Sequence, residues 1–269
     1  MLPQFQQFID ERRFITNVSP STIKWYEMSL RRLSTETPTS DDIKDLVVRL
    51  RKEGRHIPGI NCKLRAIRAY CRWAGLQTVV PRLKEDQRAM PTFSPEQVKK
   101  LLRWNPRTVT QHRLQTMVAF LFDSGARIDE VLSLRWSDVE IHDLLLLLHG
   151  KGRKDRRVPM SLELRKRLFA WQRQHPHGLV FGTMTSNKQG QRNVLRDVKA
   201  LCSRLGFEPP ARTIHAFRHT LAINYLRRGG SVFHLQKILG HTTLDMTRRY
   251  ANLVISDLSA VHEKLSLLS

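Results

Sequence analysis

The sequence predicts a mainly α-helical chain in two domains, with a small β-hairpin or sheet in the C-terminal one. Three observations predict it. Apolar residues recur at helical spacing along most of the length. That period breaks over residues 77–92, where Pro81, Pro91 and several charges gather. One apolar run, Leu144 to Leu148, is followed by a glycine-and-charge turn and a short Arg-Val-Pro run. With 269 residues, 41% of them hydrophobic, the chain has material for two packed cores. The expected division is residues 1–80, a linker at 81–92, and residues 93–269.

In the first domain, residues 3–14 read as a short helix. Ser19-Pro20-Ser21-Thr22 is a capping signal ahead of Ile23, Tyr26, Leu30 and Leu33 at helical spacing. Asp41-Asp42 opens a third helix with Ile43, Leu46, Val47 and Leu50 on one face. Pro58 opens a fourth with Ile60, Leu64, Ile67, Tyr70 and Ala74 inward. On this fourth helix Arg65, Arg68 and Arg72 form one basic stripe, which reads either as a solvated face or as a contact for phosphates.

In the second domain, Ser94-Pro95-Glu96-Gln97 combines an N-cap, a proline at the first helical position and a capping-box Gln. A helix over 109–123 stops at Gly125. The segment Leu144 to Met160 reads as a hairpin with Lys151 at its tip. Helices come next at 161–173 and 190–205, then from Thr213 as cap to Gly229-Gly230, and from Ser231 as cap to Gly240. The last are at 243–250 and, after Ser256, at 257–268. There Leu258, Val261, Leu265 and Leu268 make an apolar stripe that closes either this protomer's core or a neighbour's.

The charge balance narrows the function. There are 46 Lys+Arg against 24 Asp+Glu, a formal net charge of +22. The excess is spread, with 17 basic and 10 acidic residues in 1–90 and 29 and 14 beyond. A polyanion is the expected partner, nucleic acid before an anionic membrane. Three cysteines without a CxxC pair support neither a disulfide framework nor a thiolate metal site, so a reducing compartment is expected. The opening residues carry no long apolar core, and Leu144 to Leu148 is too short to span a bilayer. Cytoplasmic location and no membrane partner are therefore expected.

Four segments of the second domain collect residues that helix packing does not need. Gly125-Ala126-Arg127-Ile128-Asp129-Glu130 places Arg127 at a helix N-terminus, where anions bind, with an ion pair to Glu130 as its plain structural role. Gly150-Lys151-Gly152-Arg153-Lys154 is a basic hairpin tip, suited to a DNA groove. His215-Ala216-Phe217-Arg218-His219 puts His215 and Arg218 on one helix face. His215 and His219 also match zinc-ligand spacing, but the Glu of HExxH is missing. Leu239-Gly240-His241 is followed nine residues later by Tyr250. Together these residues suit attack by a phenolic oxygen on a phosphodiester. Two arginines neutralise the non-bridging oxygens, a His takes the phenol proton, a Lys protonates the departing 5′-oxygen, and a second His adds a hydrogen bond. Such a site needs no metal and no other cofactor, because guanidinium groups replace the cation.

At these residues the chain resembles the tyrosine recombinase family, of phage integrase and Xer type. The resemblance covers nearly the whole length. Gly125-x-Arg127-x-x-Glu130 matches the motif of the first catalytic Arg, and Gly150-Lys151-Gly152 the hairpin with the Lys. His215-x-x-Arg218-His219 matches the H-x-x-R box, and Leu239-Gly240-His241 with Tyr250 the final box and nucleophile. Ala126 and Phe217 stand where the family often has Leu. The resemblance implies a helical core-binding domain at 1–80 and a catalytic domain at 93–269. Its catalytic residues would be Arg127, Lys151, His215, Arg218, His241 and the nucleophile Tyr250, supported by Glu130. Arg65, Arg68, Arg72, Arg153 and Lys154 would be candidate DNA contacts. It implies a C-shaped clamp on duplex DNA with inverted-repeat core sites, as a dimer on each site and a tetramer in the synapse. Cleavage would give a 3′-phosphotyrosine and a free 5′-hydroxyl, and strand exchange a Holliday junction, without metal or ATP. Two alternatives stand beside this: a type IB topoisomerase-like enzyme, and a non-catalytic regulator with a helix-turn-helix at 231–250.

Overall fold

The computed structural model describes residues 1–85, 90–150, 154–183 and 188–254. Lys151, Arg153 and the expected helix at 257–268 lie outside the described residues. Chain contacts divide the protein into two compact units, Met1–Arg88 and Ala89–Ser269.

The first unit holds four helices among its described residues: α1 (Pro3–Asp10), α2 (Pro20–Leu30), α3 (Ser40–Lys52) and α4 (Ile57–Trp73). Helix α1 runs into a wider π-type turn at Glu11–Ile15, so the expected 3–14 helix is irregular in its second half. Helix α3 starts at Ser40, one residue before the expected Asp41-Asp42, under a capping box between Thr39 and Asp42. Ser19 does precede α2, but its hydroxyl meets those of Ser21 and Thr22 and makes no side-chain cap bond. The predicted apolar faces make the core: Ile23, Leu30, Ile43, Leu46, Leu50, Ile60, Leu64, Ile67 and Tyr70 are all buried. Phe5 meets Tyr70 edge-on at 4.8 Å, and the Tyr70 hydroxyl donates to the Glu36 carbonyl at 2.7 Å.

The stretch in which the helical period breaks is partly packed, and of the linker expected at 81–92 residues 81–83 share in this. Residues 78–83 are fastened to the helices by side chains. Thr78 donates to the Pro38 carbonyl, Arg68 Nη2 to the Val80 carbonyl at 2.7 Å, and Asn61 both donates to and accepts from Leu83. Val80 is buried in the core. An irregular strip held by side-chain bonds carries no hydropathy period, so the pattern reads it as free chain.

The second unit holds α5 (Pro95–Arg103), α6 (Val109–Ser124), α7 (Ile128–Ser133), β1 (Val139–Glu140), β2 (Leu145–Leu148), β3 (Arg156–Pro159), α8 (Leu162–Gln174), α9 (Gln191–Arg204), α10 (Thr213–Arg227), α11 (Val232–Leu239) and α12 (Leu244–Val254). Helix α5 carries the Ser94–Gln97 capping box. The hairpin is present as β2 against β3, with Leu146 opposite Val158, and the short β1 adds a third antiparallel strand. Two residues are too few for periodicity to reveal β1. Along β2 the alternation buries Leu146 and Leu148. Helix α6 runs through the core, with Met117 to Leu121 all buried. The start of α10 needs a correction. Thr213 is its first residue rather than its cap; Arg212 stands at the cap in the left-handed conformation, φ +54°, and the Thr213 hydroxyl donates to the Pro210 carbonyl. No described helix is long and apolar enough to cross a membrane.

Candidate active site

The site forms around the C-terminal end of α11. A helix end leaves its last carbonyls without intrahelical partners and carries the negative pole of the helix dipole. Three arginines from three other parts of the chain fill those positions in succession. Arg156 Nε donates to the Ile238 carbonyl at 2.8 Å, Arg218 Nη2 to that of Leu239 at 2.6 Å, and Arg127 Nη2 to that of Gly240 at 3.5 Å. Three guanidinium groups so close would repel one another. The helix end and one carboxylate, Glu130, offset part of that repulsion.

Two glycines make this convergence possible. Gly125 ends α6 at φ +59°, and a Cβ there would meet Leu221 Cδ2 at 2.6 Å. Its carbonyl accepts from Arg218 Nη1 at 2.8 Å. Gly240 ends α11 at φ +62°, and a Cβ there would meet Arg156 Cδ at 2.9 Å. Both positions demand a left-handed backbone and close approach at once.

Glu130 sits in the first turn of α7, with its side chain 5% exposed. Its Oε1 accepts from Arg156 Nη1 at 2.8 Å and Arg127 Nη1 at 3.0 Å. Its Oε2 accepts from Arg156 Nη2 and the Arg127 amide, both at 2.8 Å. Burial alone would lift this carboxyl; the bonds and charge of Arg156, then those of Arg127, hold it below the usual carboxylate range. The Arg127 side chain stays 42% exposed, while Arg218 is 7% exposed. Burial, then the charge of Arg127, brings the Arg218 guanidinium down to about 10.

Tyr250 lies on α12, 4% exposed, packed with Ala222, Ile223, Leu235 and Leu239. Its hydroxyl is 2.9 Å from His219 Nδ1. Its ring stacks on His241, with centroids 6.2 Å apart and planes 4° from parallel. His241 Nδ1 in turn meets the Thr247 hydroxyl at 2.9 Å. Burial raises the Tyr250 phenol above its usual value, and the neighbouring Arg218 guanidinium only partly offsets this. Burial first, then His215 and Arg218, brings His219 down to about 4. Burial and then Arg218 and Arg127 do the same for His241, also to about 4. His215 is exposed on α10 and is lowered by partial desolvation and by Arg212.

The structure thus brings together Arg127, Glu130, Arg218, His241 and Tyr250, with His215 one helical turn before His219. Lys151 and Arg153 are not among the described residues, and Lys154 is exposed. In the first unit Arg65 and Arg72 are exposed, Arg65 lying over the Trp25 ring at 5.6 Å. Arg68 is half-buried and holds the Val80 and Pro81 carbonyls, which gives it a structural task.

Sequence reasoning misses two residues. It offers His219 only as half of a zinc-like pair; the signal for it is the i, i+4 spacing that sets it on the face of His215. Arg156 is one of several basic residues after the hairpin tip. Strand alternation could have found it, since it shares a face with the buried Val158. Among the described residues no three His, Cys, Asp or Glu side chains converge to hold a metal ion.

Three guanidinium groups against one carboxylate leave two positive charges uncompensated beside a phenol. That is the electrostatic complement of a phosphodiester gaining negative charge as a nucleophile attacks it. Residues 91–255 match the Phage integrase family. The tyrosine recombinase XerA of Thermococcus kodakarensis is 29% identical, over 100% of this chain and 96% of that protein. Two solved structures share the fold. The Tn1549 transposon integrase, in complex with transposon right end DNA, superposes with a TM-score of 0.81 at 18% identity, over 98% of this chain and 100% of that one. The XerH site-specific recombinase, in a post-cleavage complex with a palindromic difH substrate, gives 0.77 at 16% identity, over 98% and 84%.

Proposed function

The chain belongs to the phage integrase family, and from that premise we propose that it is a tyrosine-type site-specific DNA recombinase. Tyr250 is its nucleophile, Arg127 and Arg218 hold the scissile phosphate, and residues 1–80 and 93–269 act as core-binding and catalytic domains. The observation that carries this reading is the meeting of Tyr250 with His219, His241 and the arginine cluster at the end of α11.

At neutral pH the raised phenol keeps its proton, so attack needs a base. His219 is neutral there and, with its own proton on Nε2, accepts the phenol hydrogen at Nδ1. The phenolic oxygen forms a bond to phosphorus, and the bond to the 5′-oxygen breaks. Lys151 gives that leaving oxygen its proton, a role carried by the motif match. His215 and His241 donate hydrogen bonds to the phosphate. The products are a 3′-phosphotyrosine and a free 5′-hydroxyl, which attacks the partner strand's linkage and leads through a Holliday junction. The reaction energy stays in the covalent link, so no ATP is required.

Duplex DNA with inverted-repeat core sites is the substrate, bound by a dimer on each site and a tetramer in the synapse, in the cytoplasm. The net charge of +22 supports a polyanionic partner, and the DNA complexes of the structural relatives support the same class. The full-length likeness to XerA favours a recombinase over a topoisomerase.

The test is covalent capture. The protein is incubated with a library of nicked duplexes and resolved under denaturing conditions, and the DNA in any adduct is sequenced. Wild type should form an adduct, and Tyr250→Phe should form none while retaining its gel-shift affinity. An adduct with the Phe variant would refute the nucleophile. A junction assay on the recovered site then separates exchange between two duplexes from simple relaxation.

A further inference from the structure

Arg156 belongs to none of the motifs that carry the recombinase reading, yet it is bound into the centre of the site. It is 10% exposed, and all three of its guanidinium nitrogens are used. Nη1 and Nη2 take the two oxygens of Glu130 as a parallel fork, both at 2.8 Å, and Nε takes the Ile238 carbonyl at 2.8 Å. Its aliphatic stem lies where Gly240 has no Cβ. Three of its five N–H groups are thus taken by groups of the protein itself, which gives the side chain a structural task. Arg127 is placed differently: it shares Glu130 Oε1 and touches the Gly240 carbonyl, but keeps 42% of its side chain open.

We propose that Arg156 is a positioning residue of the recombinase reaction, whose fork on Glu130 and bond to the end of α11 fix Arg127 and the Gly240–His241 turn against one phosphate. The proposal rests on the recombinase reading. A buried, bidentate pair is weak evidence for stability, because removing two charges from water offsets much of their attraction. Its geometric effect is more definite. The fork sets the carboxylate plane, that plane sets the direction of Arg127 Nη1, and Nε sets the height of the turn bearing His241. Lysine cannot substitute, since one ammonium offers neither the planar fork nor a third donor at a fixed angle.

Because Arg156 acts through Arg127, its loss should share the chemical signature of losing Arg127. A methylphosphonate at the scissile position removes one non-bridging negative charge, so the guanidinium that neutralised it becomes dispensable. Wild type, Arg127→Ala, Arg156→Lys and Arg156→Gln are compared on the phosphodiester duplex recovered by covalent capture and on each methylphosphonate diastereomer of it. Melting curves are recorded for each protein. On the phosphodiester the Arg156 variants should lose about a hundredfold in cleavage rate, the scale of a misplacement near 1 Å. On the diastereomer that rescues Arg127→Ala, their defect should shrink in parallel. Equal defects on both substrates, rescue only on the other diastereomer, near-wild-type cleavage, or loss of the fold in both variants would each overturn the proposal. Absence of any wild-type adduct is a different result: it would refute the recombinase reading itself.

Discussion

Replacing Glu130 by Gln keeps the shape of the side chain and removes its charge, and the cost can be worked from the bonds around it. Each carboxylate oxygen accepts two hydrogen bonds: Oε1 from Arg156 Nη1 and Arg127 Nη1, Oε2 from Arg156 Nη2 and the Arg127 amide. Whichever way the amide turns, its NH2 faces two donors. At least two bonds to charged or amide donors are lost, at about 1.5–3 kcal/mol for each charge-assisted one. Breaking a buried ion pair by removing one partner costs about 3–5 kcal/mol, which agrees. For a domain of this size each kcal/mol shifts the melting temperature by about 2–4 °C, so Glu130→Gln should lower it by about 6–20 °C. The assay is thermal unfolding of the full chain monitored by circular dichroism. Acid adds a second readout. The Glu130 carboxyl is held below its ordinary value of 4.5, so its contribution is present above that pH and is lost as the pH falls through the lowered value. The gap between wild type and variant should therefore narrow below pH 4.5. A drop under about 2 °C, within what surface substitutions give, would refute the account of Glu130 as the hub of the arginine cluster.

Three further outcomes are expected. Lys151→Ala should cleave a normal phosphodiester poorly and a 5′-bridging phosphorothiolate well, since a thiolate leaves without a proton; equal defects on both would remove Lys151 from the acid role. His219 and His241 are both lowered to about 4, so the unfolded chain binds their protons first, and stability should fall as the pH drops from 6.5 toward 4. The double replacement His219→Gln and His241→Gln should flatten that slope in a melting series, and an unchanged slope would contradict the assignment. DNA binding should weaken steeply with salt, the log–log slope gaining about −0.9 for each phosphate neutralised, and a flat titration would contradict a charge-driven interface.

Features that a few neighbouring residues settle are legible along the chain. The starts of α3 and α5 come from capping boxes, Thr39 with Asp42 and Ser94 with Gln97, each closed within four residues. The ends of α6 and α11 come from Gly125 and Gly240. Periodic apolar positions mark the inward faces of α3 and α4, and the motif order is itself enough to name the family resemblance. The partner that each marked side chain meets is a different matter, settled only by folding. Arg127 and Gly240 are 113 positions apart, Arg218 and Gly125 93, and Arg156 and Ile238 82. His219, rather than His215 or His241, faces the Tyr250 hydroxyl across 31 positions. Residues 78–83 dock on the first unit through side-chain bonds that leave no period behind. Periodicity reports the face on which a residue stands, because that depends on the local backbone; the group opposite depends on where distant turns return the chain, and a hydrogen bond between them exists only after the core has packed.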